Sequence, residues 1–241
     1  MPLAAVATGE VDILGMTHRV HPYIFRIGII TDWKSRWFGQ KRFSEYLRED
    51  THLRAWLEKR LRAAHVKSVE IERFPNLLHI MIKTARPGII IGRGGEGAGK
   101  LKAEIERLLS RASRGRTGQA KKAEIKLTIE EVRAPETHAA IAAVMLVEDI
   151  EKRLPFRRAL KMALEKTAQS QEVQGVKIAI RGRLDGAEMA RYEWGKRGRI
   201  PLQTIRANVD YAEKTAYTSY GTIGVKVWIY KGDVFDKGVR N

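Results

Sequence analysis

The sequence predicts an α+β protein built as two domains. Three observations carry this prediction: short runs of alternating apolar residues mark strands, longer stretches with apolar residues at helical spacing lie between them, and Pro135 divides these elements into two groups. With 241 residues and 44% hydrophobic content, the chain is long enough to bury a substantial core. Helices and strands alternate differently in the two groups, so each group is considered separately.

The first group ends before Pro135 and contains a glycine-rich loop. Its predicted elements, in order, are a helix over 43–64, strands around 68–72 and 78–83, the loop after residue 88, a helix through 101–109 and a strand over 124–130. Residues 111–122 carry five basic residues and no acid, which indicates a flexible basic loop. Residues 1–15 contain no Lys or Arg and are expected to form a disordered extension, with an upstream start before Met16 as the alternative.

The second group begins with two predicted helices. Thr137 is expected to cap the first helix, whose apolar stripe runs from Ile141 to Ile150, and Pro155 separates it from the second. The remainder is rich in strand patterns around a long polar segment. The strand candidates are 176–180, 205–211, 215–220 and 224–230.

The charge balance indicates a polyanionic partner. The formal net charge is +17 and the estimated pI is 10.2, an excess typical of nucleic-acid binding and larger than a cofactor pocket requires. The chain contains no cysteine, so disulfides, thiolate metal sites and cysteine nucleophiles are excluded. No apolar run reaches the ~18 residues of a membrane span, no secretory signal is recognisable, and the cytoplasm is the expected location. The six scattered histidines predict neither a metal site nor a catalytic set, and no cofactor is expected.

The glycine-rich loop admits three phosphate-binding interpretations. Gly92-Arg93-Gly94-Gly95 fits the GXXG of a KH domain, which clamps single-stranded nucleic acid. Gly92-x-Gly94-x-x-Gly97 fits a dinucleotide fingerprint, and Gly94-x4-Gly99-Lys100 fits most of a Walker A loop. Walker A needs Ser or Thr where Leu101 stands, and residues 89–91 are too few for the strand that a dinucleotide site requires. The KH interpretation is therefore favoured, with a simple tight turn as the remaining alternative.

A second basic element follows Pro155. On a helix, Arg157, Arg158 and Lys161 lie within about 100° of one another and could contact successive phosphates, although an ordinary solvated face is equally consistent with them. The segment 181–199 adds six basic residues with Tyr192 and Trp194 interleaved. Such aromatics can stack on bases, but for Trp194 we favour a structural role in a sheet.

Five motifs, in this order along the chain, closely resemble the bacterial family of small-subunit ribosomal protein three. They are Met16-Thr-His-Arg-Val-His-Pro22, the block from Thr84 to Gly95 ending in Ile-Gly-Arg-Gly-Gly, Pro155-Phe-Arg-Arg-Ala-Leu-Lys161, Gly182-Arg-Leu-Asp-Gly-Ala-Glu-Met-Ala-Arg-Tyr-Glu-Trp194, and Tyr220-Gly-Thr-Ile-Gly-Val-Lys-Val-Trp-Ile-Tyr-Lys-Gly232. The resemblance covers nearly everything from Met16 to Gly232.

The resemblance implies a fold and a function. It implies an N-terminal arm and type II KH domain over 16–134, then a two-layer α/β domain over 135–241 with two helices on a mainly antiparallel sheet. It implies a non-enzymatic constituent of the small-subunit head that binds ribosomal RNA, lines the channel by which mRNA enters and assists mRNA unwinding. The implied neighbours are the tenth and fourteenth small-subunit proteins. The fourth and fifth small-subunit proteins are implied to lie beside the pore through which mRNA enters.

The residues predicted to bind RNA fall into two sets. They are Gly92, Arg93, Gly94, Gly95 and Lys100 in the loop region, and Arg157, Arg158 and Lys161 on the basic helix. Two alternatives remain open at this point: a free KH-type RNA regulator or ribosome assembly factor, and a P-loop NTPase that uses Lys100.

Overall fold

Two four-stranded sheets organise the chain in a computed structural model that describes residues 20–39, 42–113 and 124–235. The helices are α1 (Phe43–Arg60), α2 (Pro87–Ile91), α3 (Glu96–Ser113), α4 (Ala139–Glu151) and α5 (Phe156–Gln169). The strands are β1 (Ser35–Arg36), β2 (Val66–Arg73), β3 (Leu77–Thr84), β4 (Glu124–Glu131), β5 (Gly175–Gly182), β6 (Arg191–Gly198), β7 (Ala207–Thr218) and β8 (Gly221–Asp233). The predicted extension 1–15 and residues 114–122 of the predicted basic loop lie outside the described residues, whereas residues 111–113 of that loop belong to α3, so the loop prediction is wrong for them.

The first sheet has the strand order β1-β2-β3-β4. Strands β2 and β3 are antiparallel, while β4 runs parallel to β3 and β1 runs parallel to β2. Helices α1 and α3 supply Leu53, Leu57 and Ile105, which are fully buried with Ile71 and Ile80 of the sheet. The order helix, strand, strand, loop, helix, strand is the predicted type II KH arrangement, so alternation and helical spacing identified these elements correctly.

The second sheet is entirely antiparallel, in the order β6-β5-β8-β7. Helices α4 and α5 cover one of its faces, and Leu146, Ile178, Ile180 and Val225 are buried between the layers. Two helices on an antiparallel sheet form the predicted two-layer domain. The α+β fold class is confirmed for both sheets.

Two strand predictions in this second sheet are wrong. The candidates 205–211 and 215–220 form one continuous strand, β7, which turns into β8 at residues 219–220. The polar segment contains an unpredicted strand, β6, which pairs with β5 from Gly175↔Gly198 to Gly182↔Arg191. Because β6 is an edge strand whose side chains are mostly exposed, its sequence lacks the apolar alternation that identifies the other strands.

The predicted cap of α4 is also wrong. Thr137 lies in a short 3₁₀ turn, where its hydroxyl donates to the Ala134 carbonyl at 2.8 Å. The N–H of Ala139, the first residue of α4, donates instead to Asp210 Oδ2 of β7 at 2.9 Å. A carboxylate 71 positions away in sequence therefore caps the helix, and no local pattern could predict it.

Polar contacts join the two sheets and the N-terminal arm. The buried His65 Nε2 lies 2.7 Å from Glu148 Oε1 of α4, and Arg62 Nη2 lies 2.6 Å from Glu151 Oε2. The arm contributes Arg26, which is 1% exposed and whose guanidinium donates to backbone carbonyls of the second domain. Those acceptors include the carbonyls of Leu202, Thr204 and Ala207. The arm is thus fixed on the second domain although it precedes the first in sequence.

Candidate nucleic-acid interface

The glycine loop joins α2 to α3 with a backbone that only glycine adopts readily. Gly92, Gly94 and Gly95 have φ values of +70°, +61° and +83°. L-residues rarely occupy this left-handed region, because their Cβ approaches the neighbouring carbonyl. A Cβ at Gly94 would meet nothing within 4 Å, so the tip of the loop is open to an approaching ligand.

What precedes the loop decides between the three interpretations. Residues Pro87–Ile91 form a short helix, whereas both the Walker A loop and the dinucleotide fingerprint follow a strand. Leu101 is 5% exposed and packs in the core, and Lys100 Nζ pairs with Glu96 Oε2 at 3.0 Å on its own helix. The NTPase and oxidoreductase interpretations are therefore wrong, and the helix–GXXG–helix arrangement of a KH domain remains.

Gly97, which also matches the dinucleotide pattern, allows α2 and α3 to pack closely against each other. A Cβ on Gly97 would lie 2.5 Å from the Ile90 carbonyl oxygen and 2.8 Å from that of Ile91. These distances are well inside van der Waals contact, so α2 and α3 approach this closely only because residue 97 has no side chain. The glycine fixes the angle at which the GXXG loop leaves α2.

The cations around the loop differ in their availability. Arg93 is exposed in the loop itself. Arg60, at the end of α1, instead pairs with Glu104 at 3.2 Å beside a cavity of about 160 Å³ between α1, α2 and α3. The hydrogen bond from Arg60 lowers the pKa of the Glu104 carboxyl, so that this carboxylate stays charged. The Arg60 guanidinium is therefore already paired and is less available to a phosphate. Arg93 is the better-placed partner for a phosphate, together with N–H groups at the start of α3.

The second predicted set lies on the first turns of α5. Phe156 and Ala159 are buried on the sheet, whereas Arg157, Arg158 and Lys161 all face solvent, as the helical spacing predicts. Arg157 Nη2 lies 3.6 Å from Glu193 Oε1, and Lys161 Nζ lies 4.0 Å from Glu165 Oε1. Exposed pairs at these distances contribute about 0–1 kcal/mol and are readily exchanged for a phosphate.

Strand β6 extends this positive surface. A Cβ on Gly195 would lie 2.4 Å from Leu164 Cδ1, so α5 rests directly on the edge strand. The register of β6 on β5 turns Arg191 and Arg197 to the same side of the sheet as α5, because Arg197 is opposite the core residue Val176. Together with the three cations of α5, these two arginines form an exposed surface that we call the cationic face. Its members are Arg157, Arg158, Lys161, Arg191 and Arg197.

The structure does not unite the two predicted sets. The GXXG loop is attached to the first sheet, and the cationic face belongs to the helix layer and edge of the second. Within residues 20–39, 42–113 and 124–235, no three His, Asp or Glu side chains form a group that could hold a metal ion. No helix in this part of the chain is both long and apolar enough to cross a bilayer. Both predicted sets contain exposed cations.

Comparison with known proteins finds a matching family for each of the two domains. Residues 52–137 match the family described as KH domain, and residues 146–229 match the family described as ribosomal protein S3, C-terminal domain. The small ribosomal subunit protein uS3 of Kosmotoga olearia is 47% identical over 92% of this chain and 98% of its own length. The uS3 proteins of Caldicellulosiruptor saccharolyticus and Lawsonia intracellularis are 45% and 44% identical, over 91% and 93% of this chain and 94% and 100% of their own.

Proposed function

Since the chain belongs to the family of the small ribosomal subunit protein uS3, we propose that its cationic face lines the channel by which mRNA enters the subunit and assists mRNA unwinding. Members of this family are structural ribosomal proteins with a KH RNA-binding domain and are not enzymes. Ribosomal RNA and other small-subunit proteins are accordingly partners of this chain. The bacterial cytoplasm, where ribosomes translate, is its proposed location.

The observation that carries the proposal is the exposure of three cations on adjacent turns of one rigid helix. Arg157, Arg158 and Lys161 project from α5, which is held against the sheet by Phe156 and Ala159. Cations in fixed positions bind the phosphates of a strand that moves past them without reading its sequence. A fixed grip on one strand favours separation of a duplex as translocation pulls the message, and it requires no nucleotide hydrolysis by this chain.

The finer organisation is part of the same proposal. Residues 16–134 form an arm with the KH domain, and residues 135–241 form the ribosomal domain. Gly92, Arg93, Gly94, Gly95 and Lys100 are assigned to RNA, with the positive-φ glycines and the exposed Arg93 in support. The family resemblance supports the tenth and fourteenth small-subunit proteins as neighbours, with the fourth and fifth completing the pore.

The test is translation by ribosomes that carry Arg157→Ala, Arg158→Ala and Lys161→Ala together. We expect slower elongation through a stable mRNA hairpin and little change on an unstructured message, because only strand separation needs the grip. A matched control removes three exposed cations from the first domain by changing Arg48, Lys59 and Arg107 to Ala. Equal slowing on both messages, or equal slowing by the control variant, would contradict the proposed pore role.

A further inference from the structure

The second sheet has a face that α4 and α5 do not cover. Because side chains alternate along a strand, the residues next to core positions point to this opposite side, which we call the open face. The register places Trp194 opposite Ala179, and Lys177 lies between Lys196 of β6 and Trp228 of β8 on this face. Aromatic and basic side chains therefore lie side by side across β6, β5 and β8.

The N-terminal arm closes only one end of the open face. The ring of His21 contacts Tyr211 of β7 edge-on at 4.7 Å, and the ring of Tyr211 lies 5.3 Å from that of Trp228. Among the described residues, no ring of the arm contacts an aromatic side chain of β5 or β6. The half of the face formed by β5 and β6 stays uncovered.

Two aromatic side chains dominate this uncovered half. Trp194 lies in a sheet, as expected from the sequence, but it is 55% exposed and therefore is not a buried anchor. Tyr192, on the same side of the same strand, is 54% exposed. Residues two apart on a strand are separated by about 6.6 Å, so the rings form consecutive steps along the sheet edge.

Cations surround these rings. Lys177 Nζ lies 5.2 Å from the centre of the Trp194 ring and 5.3 Å from that of Trp228, and Arg181 and Lys196 are exposed on the same face. In β5 and β6, all of whose residues are described, this face carries no carboxylate. On the same face of β7, Glu213 lies 3.5 Å from Lys226 and accepts a hydrogen bond from the Tyr211 hydroxyl.

We propose that Tyr192, Trp194, Lys177, Arg181 and Lys196 form a binding site for an unpaired RNA segment, whose bases stack on the two aromatic rings while the cations hold its phosphates. Exposed aromatics interleaved with cations suit single-stranded nucleic acid, since every base offers a π-face. Tyrosine, tryptophan and arginine also occur often in protein interfaces, but lysine is depleted there, and the two lysines with no carboxylate beside them on this face of β5 and β6 favour the phosphates of RNA. The site lies on the opposite side of the sheet from the cationic face and shares no residue with it.

The test uses the full-length protein and fluorescently labelled RNA. An unstructured single strand of about ten nucleotides is compared with the duplex that it forms with its complement. Trp194→Leu should weaken binding of the single strand about tenfold, by the same factor at low and moderate salt, and Trp194→Phe should retain most of the affinity. Duplex binding should not change, because paired bases cannot stack on side chains. Trp33→Leu, which removes another exposed tryptophan, serves as the matched control.

The same measurement separates this site from the channel proposal. The loss caused by Trp194→Leu should persist in protein that already carries Ala at Arg157, Arg158 and Lys161, since the two surfaces are independent. The proposal is overturned if single-strand affinity is unchanged, if single strand and duplex lose affinity equally, or if Trp33→Leu has the same effect. Unchanged RNA affinity with loss of a neighbouring protein from assembled subunits would instead identify a protein-docking surface.

Discussion

Asp210 joins the start of α4 to the sheet through one carboxylate. It accepts the Ala139 N–H at 2.9 Å and lies 3.8 Å from His138 Nδ1, with Lys231 nearby. Burial raises the pKa of this carboxyl, but the neighbouring His138 ring, the hydrogen bond from the Ala139 N–H and the charge of Lys231 together outweigh burial, so its pKa falls below the ordinary 3.8. The charged form is therefore stabilised by folding, and its negative charge favours a helix N-terminus.

Replacing Asp210 with Ala should lower the free energy of unfolding by about 1 kcal/mol at neutral pH, the usual cost of a lost cap. Because the folded pKa is depressed, this contribution is complete above pH 3.8 and is lost as pH falls through the folded pKa. Urea unfolding from pH 7 to pH 3 should therefore give wild-type and Asp210→Ala curves that converge only in acid. Glu165→Ala, which removes an exposed carboxylate of α5, should change little. A gap that widens in acid would refute the assignment.

At the scale of elements, α2 and α3 depend on a single glycine for their crossing. Gly97→Ala places a Cβ against the Ile90 carbonyl oxygen, so the two helices must separate, and we expect a loss of about 1–3 kcal/mol in unfolding free energy. Gly99→Ala, two residues further along α3, meets nothing within 4 Å and should stabilise the helix by about 0.5–1 kcal/mol. Thermal or urea unfolding measures both. Stabilisation by both substitutions would show that the close approach is unimportant.

Helices and strands with a buried apolar face can be predicted from the sequence. Elements whose place depends on pairing with another strand cannot. The alternation around Ile71 and Ile80 identified β2 and β3, and helical spacing placed Arg157 on the solvent side of α5. Strand β6 was missed because an exposed edge needs no apolar alternation. Its contribution of Arg191 and Arg197 to the cationic face depends on its register with β5, which its sequence does not encode locally.

At the scale of the whole molecule, the fold determines where the excess positive charge is exposed. The net charge of +17 predicted a polyanionic partner, and the fold distributes cations between the GXXG loop, the cationic face and the open face. How the parts join was not predictable. His65 Nε2 lies 2.7 Å from Glu148 Oε1 of α4. The Arg26 guanidinium donates to the Thr204 carbonyl, 178 residues away in sequence. Such long-range polar contacts leave no periodic trace in sequence.

In the proposed function, the cationic face contacts mRNA as it enters the small subunit. The most direct test replaces Arg158 with a photoreactive amino acid in assembled subunits and irradiates them with and without a bound message. We expect cross-links to mRNA downstream of the decoding site, which disappear when mRNA is omitted. Cross-links to ribosomal RNA or protein alone, unchanged by the presence of mRNA, would contradict it.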